Sequence, residues 1–351
     1  MMTREEVLSL VRKNILALEP YSTARDEFEA GDDFLKIEAW LDANENPFDN
    51  GVNRYPDPHQ TALKAKLSEI KGVEPKSIFI GNGSDEAIDL AFRVFARPGV
   101  DNAVSIAPTY GMYKVAAATN DIEMREVELG ADFSLPVEEL LAAADSNTKL
   151  MWICSPNNPT GNAFPEEEIE RLLAEFKGIV IVDEAYIDFA KGEGFLPKLA
   201  KYENLIVLQT LSKAWGMAGL RFGLAFASEA IIRLMNMVKY PYNINVLTQA
   251  RVAQGLAAGV AEQVAEIIAQ REKVVAELSD GTISTVQKVY PTEANFVLVK
   301  VTDADALYDR LVEGGVIVRN RSRIVGCANT LRLTIGTAEE NRKMVEIIRK
   351  F

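Results

Sequence analysis

Short hydrophobic runs recur at regular intervals between residues 77 and 227. Several of them are apolar without interruption, as β-strands are when helices cover both faces of a sheet. Segments with helical periodicity separate the runs, such as residues 165–176, which begin with a proline and three glutamates. The alternation predicts an α/β domain whose seven-stranded sheet is mainly parallel. The seven runs are SIFIG, AVSIA, EMREVEL, LMWICS, IVIVDE, LIVLQT and RFGLAFA.

The pattern changes after the last of these strands. Residues 248–278 are rich in alanine and predict a long helix that links two domains, and the strand-like and helical segments beyond it predict a smaller α+β domain. The first 45 residues carry too few hydrophobic positions to fold alone, and we expect them to pack against the smaller domain. The predicted organisation is an N-terminal arm with part of the small domain (1–45), a large domain (46–245), and a linking helix with the C-terminal small domain (246–351).

Composition and charge limit the classes of function. The chain has 351 residues, of which 48% are hydrophobic and 25% charged, so it can form two folded domains. A formal net charge of -13 opposes binding to nucleic acid. The apolar runs are too short to predict a membrane span, and the N-terminus does not resemble a signal peptide. Cys154 and Cys327 are too few for a disulfide framework, so we expect a cytoplasmic protein. A single histidine, His59, argues against a metal site and a histidine-based triad.

Residues that directly follow the strands are the first candidates for a site, because ligands of doubly wound sheets lie at the carboxyl ends of the strands. In "GNGSDE" (81–86), Ser84 is a candidate helix N-cap, and the N–H groups after it could bind a phosphate. A simple capped turn explains the segment equally well. A dinucleotide-binding fingerprint does not fit, because Glu86 stands where its third glycine would be.

Two further candidates follow buried strands. Asn157 in "SPNNPTG" offers a carboxamide that could bond a phenolic oxygen or a carboxylate, although a turn alone also explains this segment. Asp183 ends a buried strand and needs a cationic partner, either a structural one or the protonated nitrogen of a pyridine ring. Tyr186, three residues later, could donate a hydrogen bond to an oxygen of the same ring.

Lys213 lies in "TLSKAWGMAGLR", between hydroxyl groups and an apolar segment. Thr210 and Ser212 precede it, and the apolar residues after it could desolvate the amine and lower its pKa, which favours a Schiff-base nucleophile. Arg221 could hold a phosphate together with the two hydroxyls and the N–H groups after Gly83. Pyridoxal phosphate requires this combination, an amine for its aldehyde and a cation for its phosphate.

These segments resemble those of fold-type-I pyridoxal-phosphate enzymes of the aminotransferase class I and II family. Two motifs, "SPNNPTG" and "SKAWGMAGLR", carry the resemblance most strongly. Three others, "RYPDP", "GNGSDE" and "VRNRS", resemble members that act on L-histidinol phosphate. The resemblance therefore implies a fold with a mainly parallel seven-stranded sheet in a large domain and a smaller α+β domain.

The implied reaction is transamination between L-histidinol phosphate and 2-oxoglutarate, which gives imidazole acetol phosphate and L-glutamate, in L-histidine biosynthesis. The alternatives in the same superfamily are an aminotransferase of aromatic amino acids and, less favoured, a pyridoxal-phosphate lyase or decarboxylase. A transcriptional regulator that uses this fold would need an additional DNA-binding domain.

The resemblance also implies roles for the residues around the cofactor ring. Lys213 would form the Schiff base with the cofactor and move the proton of the substrate. Asp183 would pair with the pyridine nitrogen. Asn157 and Tyr186 would contact the ring oxygen, Asn157 would also contact the substrate, and Tyr110 would stack on the ring face.

At the cofactor phosphate, Ser84 and Asp85 would offer backbone N–H groups. Tyr55 would reach the phosphate of the neighbouring subunit, and the resemblance thus implies a homodimer. Packing at a subunit interface explains Tyr55 equally well.

Substrate recognition would depend on Arg332, assisted by Arg319. Strand alternation points Arg332 away from its hydrophobic neighbours, and its guanidinium can bind either a carboxylate or a phosphate. Tyr21 would close over the imidazole end of the substrate. Arg321 and Arg323 are better explained as parts of a solvated basic loop.

Overall fold

The computed structural model describes residues 1–23 and 39–351 of the chain. The strands in these ranges are β1 (Ile78–Asn82), β2 (Asn102–Ala107), β3 (Glu123–Glu128), β4 (Thr148–Cys154), β5 (Ile179–Asp183), β6 (Leu205–Thr210), β7 (Phe222–Ala227), β8 (Val286–Val289), β9 (Phe296–Val301), β10 (Arg319–Asn320) and β11 (Thr330–Thr334). The α-helices are α1 (Arg4–Ser9), α2 (Lys13–Leu16), α3 (Thr61–Lys71), α4 (Ser84–Phe95), α5 (Met112–Thr119), α6 (Val137–Ala143), α7 (Glu166–Glu175), α8 (Glu229–Val238), α9 (Val246–Ala258), α10 (Ala261–Ser279), α11 (Ala304–Glu313) and α12 (Ala338–Lys350).

The first seven strands form one sheet in the order β1–β7–β6–β5–β4–β2–β3. The pairs from β3 to β6 are parallel, whereas β7 is antiparallel to both of its neighbours. Six strands therefore run in one direction, which confirms the predicted mainly parallel seven-stranded sheet. The carboxyl ends of β4, β5 and β6 share one edge of the sheet with the amino end of β7.

Helices cover both faces of this sheet. In β4, Trp152 stacks on Phe92 of α4 at a ring distance of 5.2 Å, whereas its neighbour Ile153 belongs to the apolar cluster that contains Leu172 of α7. Alternate residues of one strand thus enter two different cores. For this reason the sequence of β4 is apolar without polar alternation.

The last four strands form a second sheet, antiparallel throughout, in the order β10–β11–β9–β8. Helices α10, α11 and α12 pack with it. Their apolar cluster includes Val299, Leu307 and Val345 and is separate from the clusters of the large sheet. This part of the chain is the smaller α+β domain that the sequence predicts.

The predicted linking helix is two helices, so the prediction of one long helix is wrong. Helix α9 ends before Gly259, whose φ of 73° lies in the left-handed region that a continuing helix cannot adopt. Val252 of α9 packs in the core of the large sheet, whereas Val274 of α10 packs in that of the small sheet. The chain thus breaks its helix between the two cores. The domain limits at residues 45 and 245 remain a prediction.

The sequence led us to expect that the N-terminal segment packs against the small domain. Helices α1 and α2 instead pack in the core of the large domain. Val7 and Ile15 are buried in the same cluster as Phe95 of α4. The backbone N–H of Arg12 donates to the carbonyl of Val94 at 3.0 Å. Across the residues that the structure describes, no helix has the length and hydropathy needed to cross a membrane.

Candidate active site

A cleft of about 510 Å³ lies at the carboxyl edge of the large sheet and is closed on one side by the small domain. It contains Lys213 and most of the other residues that the sequence singled out. Asn157, Tyr55 and Tyr21 do not line it. The predicted residues that do are Ser84, Asp85, Tyr110, Asp183, Tyr186, Thr210, Ser212, Lys213, Arg221, Arg319 and Arg332.

The N-terminus of α4 opens into this cleft. Its N-cap is Gly83, with φ of 73° and no side-chain capping bond, so the expectation that Ser84 is the N-cap is wrong. Ser84 is instead the first helical residue, and the N–H groups of this first turn can donate hydrogen bonds to an anion. A Cβ atom at position 83 would lie 2.7 Å from Nη2 of Arg221, so the glycine leaves room for the guanidinium beside the helix end.

Four further side chains with donor groups surround the helix end. The Thr210 hydroxyl donates to Oγ of Ser212 at 3.0 Å and accepts the backbone N–H of Ser212 at 3.1 Å. Arg221, held at a positive φ of 51°, contacts Oδ2 of Asp85 at 3.4 Å. Tyr110 donates its hydroxyl to the other oxygen of Asp85 at 3.1 Å. Hydroxyls, a guanidinium and a helix N-terminus form an anion site suited to a phosphate.

The amine of Lys213 lies in the same cleft, 5.7 Å from the centre of the Tyr186 ring. Burial lowers the pKa of Lys213, and the cation of Arg332 lowers it further, while Asp183 acts in the opposite direction. A lowered pKa increases the fraction of neutral amine at neutral pH. Lys213 therefore has the environment of a nucleophilic amine.

Asp183 is buried at the end of β5 with a hydrogen bond to each oxygen. The Tyr113 hydroxyl donates to Oδ2 at 2.5 Å, and the Ala185 N–H donates to Oδ1 at 3.1 Å. Burial still raises the pKa of Asp183 to about 6. Such a carboxylate is best stabilised by a cation placed directly against it, and a protonated pyridine nitrogen is one.

Sequence reasoning did not identify Tyr113. It is fully buried in α5, and its ring stacks on Trp152 at 4.9 Å. Tyr113 follows Tyr110 in "PTYGMY", and the one available signal was a second tyrosine on the same helical face as the first.

Asn158, and not Asn157, faces the cleft. The amide of Asn157 is fully buried and donates to the Pro108 carbonyl at 2.9 Å, while its oxygen accepts the Thr109 hydroxyl at 2.8 Å. Both ends of Asn157 are thus occupied by protein groups, and the predicted contact to a ring oxygen is wrong for this residue. Asn158 lines the cleft and accepts a hydrogen bond from Arg332.

The small-domain wall carries three arginines. Arg332 on β11 lies opposite Arg319 on β10, and its guanidinium carbon is 5.1 Å from the centre of the Phe296 ring. Arg321 also lines the cleft and is only partly exposed, so the expectation of a solvated loop residue is wrong for it. Arg323 is exposed, as that expectation states.

Two predicted tyrosines lie away from the cleft. Tyr21 is 75% exposed. Tyr55 stacks on Tyr242 at 4.4 Å in a separate hollow formed by residues 43–56 and 242–247. Neither residue reaches the cleft of its own chain.

The arrangement fits the pyridoxal phosphate that the sequence suggests. The α4 terminus, Ser212 and Arg221 match a phosphate, Asp183 matches the ring nitrogen, and Lys213 matches the aldehyde. These groups come from separate strand ends and meet in one cleft, so they define the site of a pyridoxal-phosphate enzyme that carries out amino-group chemistry.

Residues 27–348 match the model of the family described as aminotransferase class I and II. The chain belongs to this family. Over 343 residues it is 50% identical to the histidinol-phosphate aminotransferase of Flavobacterium johnsoniae, with 97% of each chain covered. This similarity extends over nearly the full length of both chains.

Solved structures show the same fold. The histidinol-phosphate aminotransferase of Clostridium acetobutylicum has a TM-score of 0.78 at 24% identity and covers 85% of this chain and 90% of that chain. The histidinol-phosphate aminotransferase of Sinorhizobium meliloti, in complex with pyridoxal-5'-phosphate, has a TM-score of 0.75 at 23% identity. It covers 85% of this chain and 83% of that chain. These similarities confirm the fold-type-I architecture.

Proposed function

We propose that the cleft catalyses amino-group transfer between L-histidinol phosphate and 2-oxoglutarate, with pyridoxal 5'-phosphate as the cofactor. The observation that supports it best is that the amine of Lys213 shares one cleft with the buried carboxylate of Asp183 and with a phosphate-sized anion site. When bound, the cofactor would supply an aldehyde for amines and a ring that withdraws electrons from the substrate Cα.

The residues divide the remaining work. Lys213 would be the base that takes the proton from the substrate Cα. Asp183 would hold the ring nitrogen in its protonated form, and Tyr186 would donate a hydrogen bond to the ring oxygen. Tyr110 would cover one face of the ring. The expected phosphate contacts are the N–H groups of Ser84 and Asp85, the hydroxyls of Thr210 and Ser212, and the guanidinium of Arg221.

Arg332 is the proposed anchor for both amino donors. Its guanidinium can bind a carboxylate of L-glutamate in one half of the reaction and the phosphate of L-histidinol phosphate in the other. Arg319 lies directly opposite on β10 and assists it. Tyr21 would reach the imidazole only if its exposed segment folded over the cleft.

We also propose a homodimer. Apolar side chains are exposed around Tyr55, where a partner subunit would cover them. In the dimer Tyr55 would contact the cofactor phosphate of the other subunit. The exposed apolar residues are Leu41, Phe48, Val52, Tyr55 and Leu247.

The cytoplasm is the proposed compartment. Cys154 and Cys327 are free and buried, and cytosolic enzymes usually keep their cysteines in this form.

Replacing Lys213 tests the proposed function. Lys213→Ala should lose multiple turnover of L-histidinol phosphate and 2-oxoglutarate, since no other lysine among the described residues lines the cleft, while pyridoxal phosphate still binds without a covalent bond. The matched control is Lys191→Ala, because Lys191 is exposed and outside the cleft. Sustained turnover by Lys213→Ala would remove Lys213 from the mechanism.

A further inference from the structure

Three guanidinium groups face one side of the cleft. Arg319 lies opposite Arg332 across β10 and β11. The N–H of Arg321 donates to the carbonyl of Thr330 at 2.9 Å, so the pairing of the strands continues past the end of β10. Because side chains alternate along a strand, Arg321 projects to the same side as Arg319 and Arg332. All three line the cleft.

The acids of the cleft do not neutralise this cluster. Asp85 is hydrogen-bonded to Tyr110 and pairs with Arg221, and Asp183 is hydrogen-bonded at both oxygens. Within the described ranges, no ion pair joins a carboxylate to any of the three arginines. Like charges that face each other across antiparallel strands repel and destabilise the fold. A bound anion would offset this repulsion.

Arg321 has unused donor capacity. In the part of the chain that the structure describes, its Nε is buried and has no hydrogen-bond partner, and the same holds for Nε of Arg332. Burial and the neighbouring Arg319 also lower the pKa of Arg321. A desolvated guanidinium with an unpaired N–H is costly without a ligand. Arg323, two residues further on, is exposed and outside the cleft.

We propose that Arg321 is a substrate-binding residue that selects a phosphate monoester over a carboxylate in this cleft. The inference rests on the proposed function, which it deepens. A phosphate monoester carries a charge of about -1.5 to -2 at pH 7 and three acceptor oxygens, which suits three guanidinium groups. A carboxylate has one charge and two oxygens, which a single arginine can satisfy. Arg332 thus serves both donors, whereas Arg321 serves the phosphate-bearing donor.

Single-turnover experiments on the holoenzyme test this inference. The conversion of the bound cofactor is followed against the concentration of L-histidinol phosphate and, separately, of L-glutamate. In Arg321→Gln the half-saturating concentration of L-histidinol phosphate should rise about 10-fold or more, with that of L-glutamate little changed. Arg323→Gln is the matched control and should behave as the wild type. Arg321→Lys should be intermediate, because it keeps the charge but loses the planar fork.

Inhibition by inorganic phosphate gives a readout that does not depend on L-histidinol phosphate. Phosphate should compete with L-glutamate in the wild type, and the competition should weaken in Arg321→Gln. An unchanged response to L-histidinol phosphate, or an equal loss for both donors, would overturn the inference. A wild type that is inhibited by phosphate and converted by L-glutamate but not by L-histidinol phosphate would contradict the proposed function instead.

Discussion

At the scale of single residues, two adjacent carboxyl groups at the end of β5 are buried, and burial disfavours their ionised form. Asp183 is fully buried, its pKa is raised to about 6, and its two hydrogen bonds only partly offset the burial. Glu184 beside it is also buried, and its pKa is raised to about 7. The protein without its cofactor therefore carries a cost at neutral pH that the protonated ring nitrogen is expected to relieve.

From the raised pKa of Asp183 we predict how the stability of the cofactor-free protein depends on pH. The folded-state pKa of Asp183 lies above the ordinary 3.8, so the folded state binds the proton more tightly than the unfolded state. The contribution of Asp183 to the free energy of unfolding is thus present below about pH 4 and is lost as the pH rises through about 6. Chemical denaturation at a series of pH values measures this fall.

Two variants assign the fall to Asp183. Asp183→Asn should remove the share of Asp183 in the slope between about pH 4 and 6 and leave the share of Glu184, which extends from its ordinary pKa of 4.5 to about 7. Tyr113→Phe should move the fall to higher pH, because the hydrogen bond from Tyr113 lowers the pKa of Asp183. A slope in Asp183→Asn equal to that of the wild type would show that Asp183 is not its source.

Positions in the cleft were predictable from the sequence where a polar residue ends an apolar strand or follows it closely. Asp183 is the last residue of β5, Lys213 lies three residues after the end of β6, and both line the cleft. Asn157 and Asn158 are adjacent and chemically identical, and only the backbone of the turn decides which one faces the ligand. Arg321 escaped prediction because its burial depends on the large domain lying opposite its strand.

At the scale of elements, the phosphate end of the cleft depends on the close approach of β7 to the loop between β1 and α4. A Cβ atom at Gly223 would lie 2.1 Å from the carbonyl carbon of Gly83 and from the nitrogen of Ser84. Both are backbone atoms, so no side-chain rotation could relieve the contact. The start of β7 therefore fixes the position of the helix end that we propose binds the phosphate.

Gly223→Ala should displace this helix end. We expect a loss of about 1–3 kcal/mol in the free energy of unfolding, together with weaker binding of pyridoxal phosphate. Gly219→Ala is the control, since nothing lies within 4 Å of a Cβ atom there. Denaturant unfolding and a cofactor titration measure the two effects. Equal affinity for the cofactor in both variants would contradict the role of this contact.

The elements themselves were largely predictable, because seven apolar runs mark seven strands. The break between α9 and α10 was not, since alanine-rich sequence continues through Gly259 and a single glycine is tolerated in many helices. The packing of α1 on α4 was also missed. A short amphipathic helix shows which of its faces is apolar but not which core will bury it.

At the scale of the whole molecule, the proposed role of Tyr55 requires a second subunit. Tyr55 lies outside the cleft of its own chain, and exposed apolar residues surround it. If Tyr55 acts across the interface, each active site combines Lys213 from one chain with Tyr55 from the other.

Mixed dimers test this arrangement. Lys213→Ala and Tyr55→Ala should each have little activity alone. A hybrid dimer of the two should contain one intact site, so an equal, fully exchanged mixture should regain about a quarter of wild-type activity by random pairing. Recovery is measured after mixing and dissociating the two variants together. A mixture no more active than its components would place Tyr55 and Lys213 in the same subunit's site, or Tyr55 outside the site.

The most direct test of the central claim is a single-turnover spectrum of the wild-type holoenzyme. The enzyme is mixed separately with L-histidinol phosphate, L-glutamate and L-phenylalanine, and the conversion of the cofactor to its amine form is followed by absorbance. The proposed function predicts rapid conversion by the first two donors and slow conversion by L-phenylalanine. Conversion by L-phenylalanine but not by L-histidinol phosphate would contradict it and indicate an aromatic aminotransferase.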